Sequence, residues 1–185
     1  GEYSYDKTYP NINRIYRVFA NDNVASVRED FRELFLEKYP SIEDACRYNN
    51  YNSTVTYEDK PFNGQMIVTD ASFFNIFSTQ FLIGSKNSSL VNLNDVVLTE
   101  SFARKIFGDE DPLLKKMISE YRTPMVVTGI VKDFPIYSSI QGDFFTNSKL
   151  KIIYEGSSDG MGNEVNFFRM FILIKKTENI YGLEK

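Results

Sequence analysis

The chain contains no histidine, no tryptophan and a single cysteine. Without histidine, Ser-His-Asp and Cys-His catalysis are unavailable, and most transition-metal sites lose their commonest ligand. With one cysteine, Cys46, no internal disulfide can form. That leaves the compartment open, because disulfide-free chains occur in both cytosol and periplasm. Cys46 stands beside Ala45 in a stretch that reads as a strand, with no base to activate it. It is expected to be a small buried apolar residue rather than a reactive thiol. No apolar run approaches the ~18 residues of a membrane span, and no signal-peptide pattern opens the chain. The longest such stretch, Met170 to Ile174, is the length of a strand. Positive charge is also scarce: the net charge is −4, and no basic cluster is denser than Lys115-Lys116 or Lys175-Lys176. The basic face of a nucleic-acid binder is therefore missing. There is no Walker A pattern, no GxGxxG and no EF-hand loop.

What the chain does have is aromatic mass. Phe and Tyr make up 15% of 185 residues, enough chain for one large domain or two small lobes. With many Thr, Val and Asn residues, this favours short strands and turns, hence an α+β fold. Its organising corner is residues 95–112. Val96, Val97 and Leu98 read as a buried strand, and Thr99 as the cap of a helix. Glu100 suits the helix dipole, and Phe102, Ala103, Ile106 and Phe107 share one face. Gly108 fits a left-handed C′ position, and Pro112 bars the helix from resuming.

The rest reads as follows. Arg14 to Phe19 alternates as a strand. Residues 25–38 form a helix, with Ser26 and Glu29 as a capping box and Pro40 as its stop. Glu43 to Tyr57 is two strands or one bent one, and Glu58 to Pro61 a turn. Gln65 to Thr69 is a short strand, after which Asp70 caps a helix over 71–77. Phe73, Phe74, Ile76 and Phe77 make that helix nearly all apolar. It is expected in the core, against the alternative of a docking patch. Phe81 to Gly84 ends a strand, and Ser85 to Asn94 is a solvated loop. Met117 to Tyr121 and Met125 to Lys132 form a hairpin, and Gly129 inside it marks a bulge or a close backbone approach. Asp133-Phe134-Pro135 breaks the strand. Phe144-Phe145 and Lys151 to Tyr154 are further strands. Gly156 to Asn163 is a glycine-rich mobile loop, and Glu164 to Lys175 a central strand.

Chemistry is hard to find. Asp109-Glu110-Asp111 is expected to be a solvated acidic turn rather than a Ca²⁺ site, since consecutive carboxylates point apart. Asp159 with Asn163 and Glu164 reads the same way. Asn52-Ser53-Thr54 and Asn87-Ser88-Ser89 match a glycosylation tripeptide that is frequent by chance. No residue is singled out as catalytic, cofactor-binding or metal-ligating, and no cofactor is expected.

Several stretches, in order, resemble the periplasmic core domain of MacB-like ABC-transporter permeases, of the FtsX-like class. They are "SYDKTYPNINRIYRV" (4–18), "FLEKYPSIEDACRY" (35–48), "VTDASFFNIFSTQFLIG" (68–84), "VVLTESFARKIFGDEDP" (96–112), "VVTGIVKDFPIYSSIQGDF" (126–144) and "NFFRMFILIKK" (166–176). One departure is local: where the family has Gly after "DEDP-x", this chain has Leu113-Leu114-Lys115. The resemblance implies two lobes. A porter-like α+β lobe would comprise residues 1–57 and 135–185, and an inserted, mostly β, sabre-like lobe residues 58–134. It implies a non-catalytic extracytoplasmic domain on the periplasmic side of a bacterial inner membrane. It also implies a permease homodimer, a cytoplasmic ATPase domain or subunit, and a periplasmic adaptor protein. The abrupt ends, Gly1-Glu2-Tyr3 and Gly182 to Lys185, fit an excised piece of a longer chain. The competing readings are an extracytoplasmic ligand-sensing module, which an apolar pocket would favour, and a hydrolase using carboxylates alone, which a split pair in a cleft would favour.

Overall fold

The computed structural model describes residues 10–19, 26–136, 138–150 and 167–176. A single 3-10 turn, Ile12–Arg14, leads into β1 (Ile15–Val18). β2 (Val27–Arg28) and helix α1 (Phe31–Lys38) follow. β3 (Ile42–Tyr57) and β4 (Lys60–Thr69) form a long hairpin, paired from Tyr48↔Thr69 to Tyr57↔Lys60. Its turn is Glu58-Asp59, with φ of 49° and 62°. Two left-handed residues match the right-handed twist of the flanking strands, although glycine usually occupies such sites. Helix α2 (Ser72–Ile76) and β5 (Phe81–Ile83) precede the corner of β6 (Asp95–Thr99) and α3 (Glu100–Phe107). β7 (Lys116–Ser119), β8 (Pro124–Val131), β9 (Phe144–Asn147) and β10 (Phe167–Ile174) complete the described elements.

One sheet joins them in the order β1-β10-β3-β4-β9-β6-β8-β5, with β2 on β10. β4–β9 and β6–β8 are parallel; the other pairs are antiparallel. β7 pairs both β8 and the far end of β3 (Val55↔Ser119). The pairing therefore closes: β3, β4, β9, β6, β8 and β7 form a ring. A closed ring leaves no free edge among its members.

Strand alternation sends side chains to two sides of the sheet. One set, with Val55, Met66, Leu98, Met117, Met125, Val127 and Phe144, packs with Phe102, Ile106 and Phe107 of α3. The other, with Tyr48, Ile67, Val97, Phe145 and Leu173, packs with α2. A third, smaller cluster joins Ile42, Ala45, Ile172 and Ile174 to Phe35 and Leu36 of α1. Phe73, Phe74 and Ile76 of α2, and Phe77 just after it, are all buried, as core rather than docking surface. Phe73 alone lies 4.7 Å from Phe77 and 5.4 Å from Phe145, ring centre to ring centre.

Four local expectations are corrected. Val27–Arg28 is a strand on β10, so the first helix starts at Phe31 and Ser26 does not cap it. Pairing of Val27 with Phe168 buries that side chain and outcompetes the local box. β3 is one continuous strand, and Lys60-Pro61 belongs to β4 rather than to the turn. Ser89 and Leu90 are buried inside the loop expected to be solvated. Gly108 has φ 62° but ψ −122°, so it is not the left-handed cap, although only glycine tolerates that backbone readily. Gly129 satisfies both readings. The β6–β8 register skips Thr128, and a Cβ on Gly129 would lie 2.8 Å from Ser89 Oγ. Residues 151–154, 156–163 and Glu164 lie outside the described residues, so the strand, loop and acidic group expected there do too.

Candidate functional site

Three polar constellations stand out against this apolar frame. The first is buried. β3 carries Arg47 to the junction of β4 and α2, where Asp70 follows the last residue of β4. Asp70 does not cap α2. Its carboxylate accepts from the Arg47 backbone N–H at 2.7 Å, from Arg47 Nε at 3.0 Å and from Nη2 at 2.7 Å. Ser148, just past β9, donates its hydroxyl to Asp70 Oδ1 at 2.6 Å. Arg47 Nη1 also donates to the Glu29 carbonyl at 3.1 Å. The two side chains are 7% and 12% exposed. Burial alone would raise the Asp70 carboxyl; the Arg47 hydrogen bonds and charge outweigh it and hold it below the usual value. Burial opposes the Arg47 charge, yet the same bonds raise its pKa. Neighbouring Cys46 is fully buried, and burial, with the Asp70 and Asp44 charges, pushes its thiol up. A thiol held protonated is a poor nucleophile. This cluster is a staple joining β3, β4, α2 and the end of β9.

The second constellation caps α3. Thr99 does not cap it with its own hydroxyl, which instead donates to the Asp143 carbonyl at 3.2 Å. The orphan N–H of Ser101 is met by Asp133 Oδ1 at 3.1 Å, which also accepts the Ser101 hydroxyl at 2.8 Å. Asp133 lies 32 residues downstream. Beyond the helix, the Lys115 ammonium pairs with Glu110 and lies 5.5 Å from the Tyr57 ring centre and 5.8 Å from that of Phe107. Asp109 and Asp111 stand exposed, and Asp111 Oδ1 accepts the Leu113 N–H at 3.0 Å. The acidic turn is thus tied into its own loop. No group of three or more Cys, Asp or Glu residues among the described residues is placed to hold a metal ion. Leu114, where the family pattern has glycine, takes φ 62°.

The third is an open cleft of about 450 Å³ on the β3–β4 hairpin. Asn52, Ser53, Thr54, Asn63, Gly64, Gln65, Glu120 and Asp143 line it among the described residues. Period-two alternation puts Asn52 and Thr54 of β3 opposite Gln65 and Asn63 of β4. Gln65 Nε2 donates to Asn52 Oδ1 at 3.0 Å, and Thr54 Oγ1 to Asn63 Oδ1 at 2.8 Å. Glu120 accepts the Ser53 hydroxyl at 2.6 Å, and Asp143 the Gln65 N–H at 2.7 Å. Sequence reasoning passed over this ladder. Its signal was there, in Asn-x-Thr facing Asn-x-Gln across a hairpin, but the register that aligns the two was not.

The sequence model of the MacB-like periplasmic core domain matches residues 1–180. Among solved structures, a domain of a protein described as a permease from Porphyromonas gingivalis superposes with a TM-score of 0.77 at 22% identity, over 95% of this chain and 82% of that one. The periplasmic region of MacB from Actinobacillus actinomycetemcomitans gives 0.63 at 19% identity, over 92% and 77%. The extracellular domain of the noncanonic ABC-type transporter YknZ from Gram-positive bacteria gives 0.64 at 13% identity, over 92% and 87%. No curated protein matches the chain by sequence.

Proposed function

Because the chain belongs to the MacB-like periplasmic core domain family, the extracytoplasmic part of ABC-transporter permeases, we propose that it transmits motion rather than catalysing a reaction. In this reading, ATP is hydrolysed on the cytoplasmic side of the membrane by a domain or subunit of the same transporter. The domain, paired with a second copy in the permease homodimer, carries the resulting displacement to a periplasmic substrate or to an adaptor protein.

The observation that best supports this is the ring of strands closed by β7 on β3 and stapled by Arg47, Asp70 and Ser148. A closed, densely packed body passes displacement on instead of absorbing it. The expected lobes, 1–57 with 135–185 and 58–134, would meet along the β3–β4 hairpin, whose strands lie on either side of the boundary. Two lobes sharing a continuous ladder would move together.

The test is made in the full-length transporter. Loosening the staple with Asp70→Asn is expected to reduce transport while ATP hydrolysis continues, because the motor turns but the lever yields. Loss of hydrolysis and transport in equal measure, in a protein that still reaches the membrane folded, would refute the coupling role.

A further inference from the structure

The apolar trough between α1 and β1 is a docking surface, and we infer that its occupant is residues 177–185 of the same chain. The inference stands on topology and packing and does not depend on the coupling role.

β1 and β3 run parallel, because each is antiparallel to β10, which lies between them. α1 is therefore the crossover of a split β-α-β unit, whose gap is filled by a strand from far along the chain. It packs chiefly on β3. Glu33 of α1 meets Arg47 at 3.4 Å. Phe31, two residues and about 200° of helix away, looks to the other flank, toward β10 and β1. There Phe31, Phe35 and Tyr39 form a ladder, with ring centres 6.1 Å and 5.3 Å apart. All three stay half-buried, as do Tyr16 and Val18 of β1, which lie in the same cluster. No residue of α1 is fully buried, and α1 is the only described helix in the cluster. The result is a trough with an aromatic wall and a floor made by β1.

The chain itself supplies the occupant. β10 ends at Ile174, and the Lys175 N–H donates to the Ser41 carbonyl at 2.9 Å. The chain thus leaves the sheet beside the C-terminal end of α1. Crossovers between parallel strands are right-handed almost without exception. β10 points opposite to β1, so a right-handed crossover that leaves it toward the β1 side falls on the face that carries α1. Nine residues, Thr177 to Lys185, follow. In helical form they would reach about 13 Å, close to the span of the eight-residue α1. Ile180 and Leu183 are spaced to share one side. Running back along α1, the segment brings Glu178 to Lys38 and Lys185 to Asp30, opposite charges at both ends. A second copy of the chain is the competing occupant. A segment on a short tether has the advantage, at an effective concentration of about millimolar.

The test uses the 185-residue chain with Lys185→Cys carrying a nitroxide. Cys46 is fully buried, so the label goes to the new thiol. The amide signals of Phe31 and Val18 are expected to lose intensity, and that of Tyr39 to lose less, because the segment ends beside the start of α1. Labelled protein mixed with isotope-enriched parent should leave the parent's signals intact. A double-mutant cycle on Phe35→Ala and Ile180→Ala should show a coupling of at least about threefold in the folding constant. Four results would overturn the inference: no loss at α1 and β1, a larger loss at Tyr39 than at Phe31, loss that appears in the mixed sample and so comes from a second copy, or strictly additive effects in the cycle.

Discussion

Replacing Asp70 by alanine should be among the most damaging single changes the domain can suffer. The substitution removes the acceptor for one backbone N–H, two guanidinium N–H groups and the Ser148 hydroxyl. Hydrogen bonds to charged groups contribute about 1.5–3 kcal/mol each, but they are not additive. The better guide is the cost of leaving one partner of a buried pair alone, about 3–5 kcal/mol. With side chains 7% and 12% exposed, little solvent is at hand to compensate Arg47. Against a whole-domain stability of about 5–15 kcal/mol, that is about a fifth or more. Urea unfolding followed by tyrosine fluorescence should show the midpoint falling by about 1–2.5 M, for a slope of about 2–3 kcal/mol per molar. The double replacement Arg47→Met with Asp70→Leu should recover part of the loss, since it removes the lone buried charge but still leaves the Arg47 N–H and the Ser148 hydroxyl without the Asp70 acceptor. The pair also sets an acid limit. The Asp70 carboxyl titrates below its unfolded value of about 3.9. Its contribution is therefore complete above that pH and is lost as the pH falls through the depressed folded value. Asp70→Asn should flatten this part of the acid-unfolding curve. A cost for Asp70→Ala under about 1 kcal/mol, typical of a surface ion pair, would refute the reasoning.

Three other substitutions test the backbone and the packing. Leu114→Gly should stabilise by about 0.5–1 kcal/mol in thermal or urea unfolding. It relieves a left-handed backbone costing about 1–2 kcal/mol, at an entropic loss of about 0.4–1 kcal/mol, and the leucine is 69% exposed, so little packing is lost. Gly129→Ala should destabilise by about 1–3 kcal/mol, because its Cβ would meet Ser89 Oγ at 2.8 Å and Phe81 Cε1 at 2.9 Å; the same denaturation curves report it. Thr146→Val should be neutral or stabilise by up to about 1 kcal/mol, since the Thr146 hydroxyl is buried and finds no partner among the described residues; calorimetry would read this as an unchanged or higher Tm.

What could be read in the sequence was whatever the neighbouring residues decide. The β6–α3 corner, the apolar burial of α2 and the bulge at Gly129 all follow from patterns a few residues long. The misreadings share one cause. Ser26 and Glu29 spell a capping box, but a strand partner at Phe168 claims Val27 first. Asp70 stands where a cap belongs, yet Arg47 from 23 residues upstream and Ser148 from 78 downstream take its oxygens. Thr99 is placed to cap α3, and Asp133 does so instead. The cleft was hidden for the same reason: Asn52 and Asn63 become neighbours only once the hairpin register is set. Local propensity is a weak prior wherever a distant group offers a better bond.

The position of β10 has a consequence in time. It is the last of the described strands in the chain, yet it lies between β1 and β3, pairing Ile15↔Leu173 on one side and Ala45↔Ile172 on the other. Until it arrives, the inner half of β3 presents a bare row of backbone donors and acceptors, and Phe35 and Leu36 of α1 lack half of their cluster. A nascent chain that has emerged only as far as β9 is therefore an unfinished sheet with an adhesive border. Any such chain must be shielded or completed quickly. Pairing partners more than a hundred residues apart also make that last step slow to find.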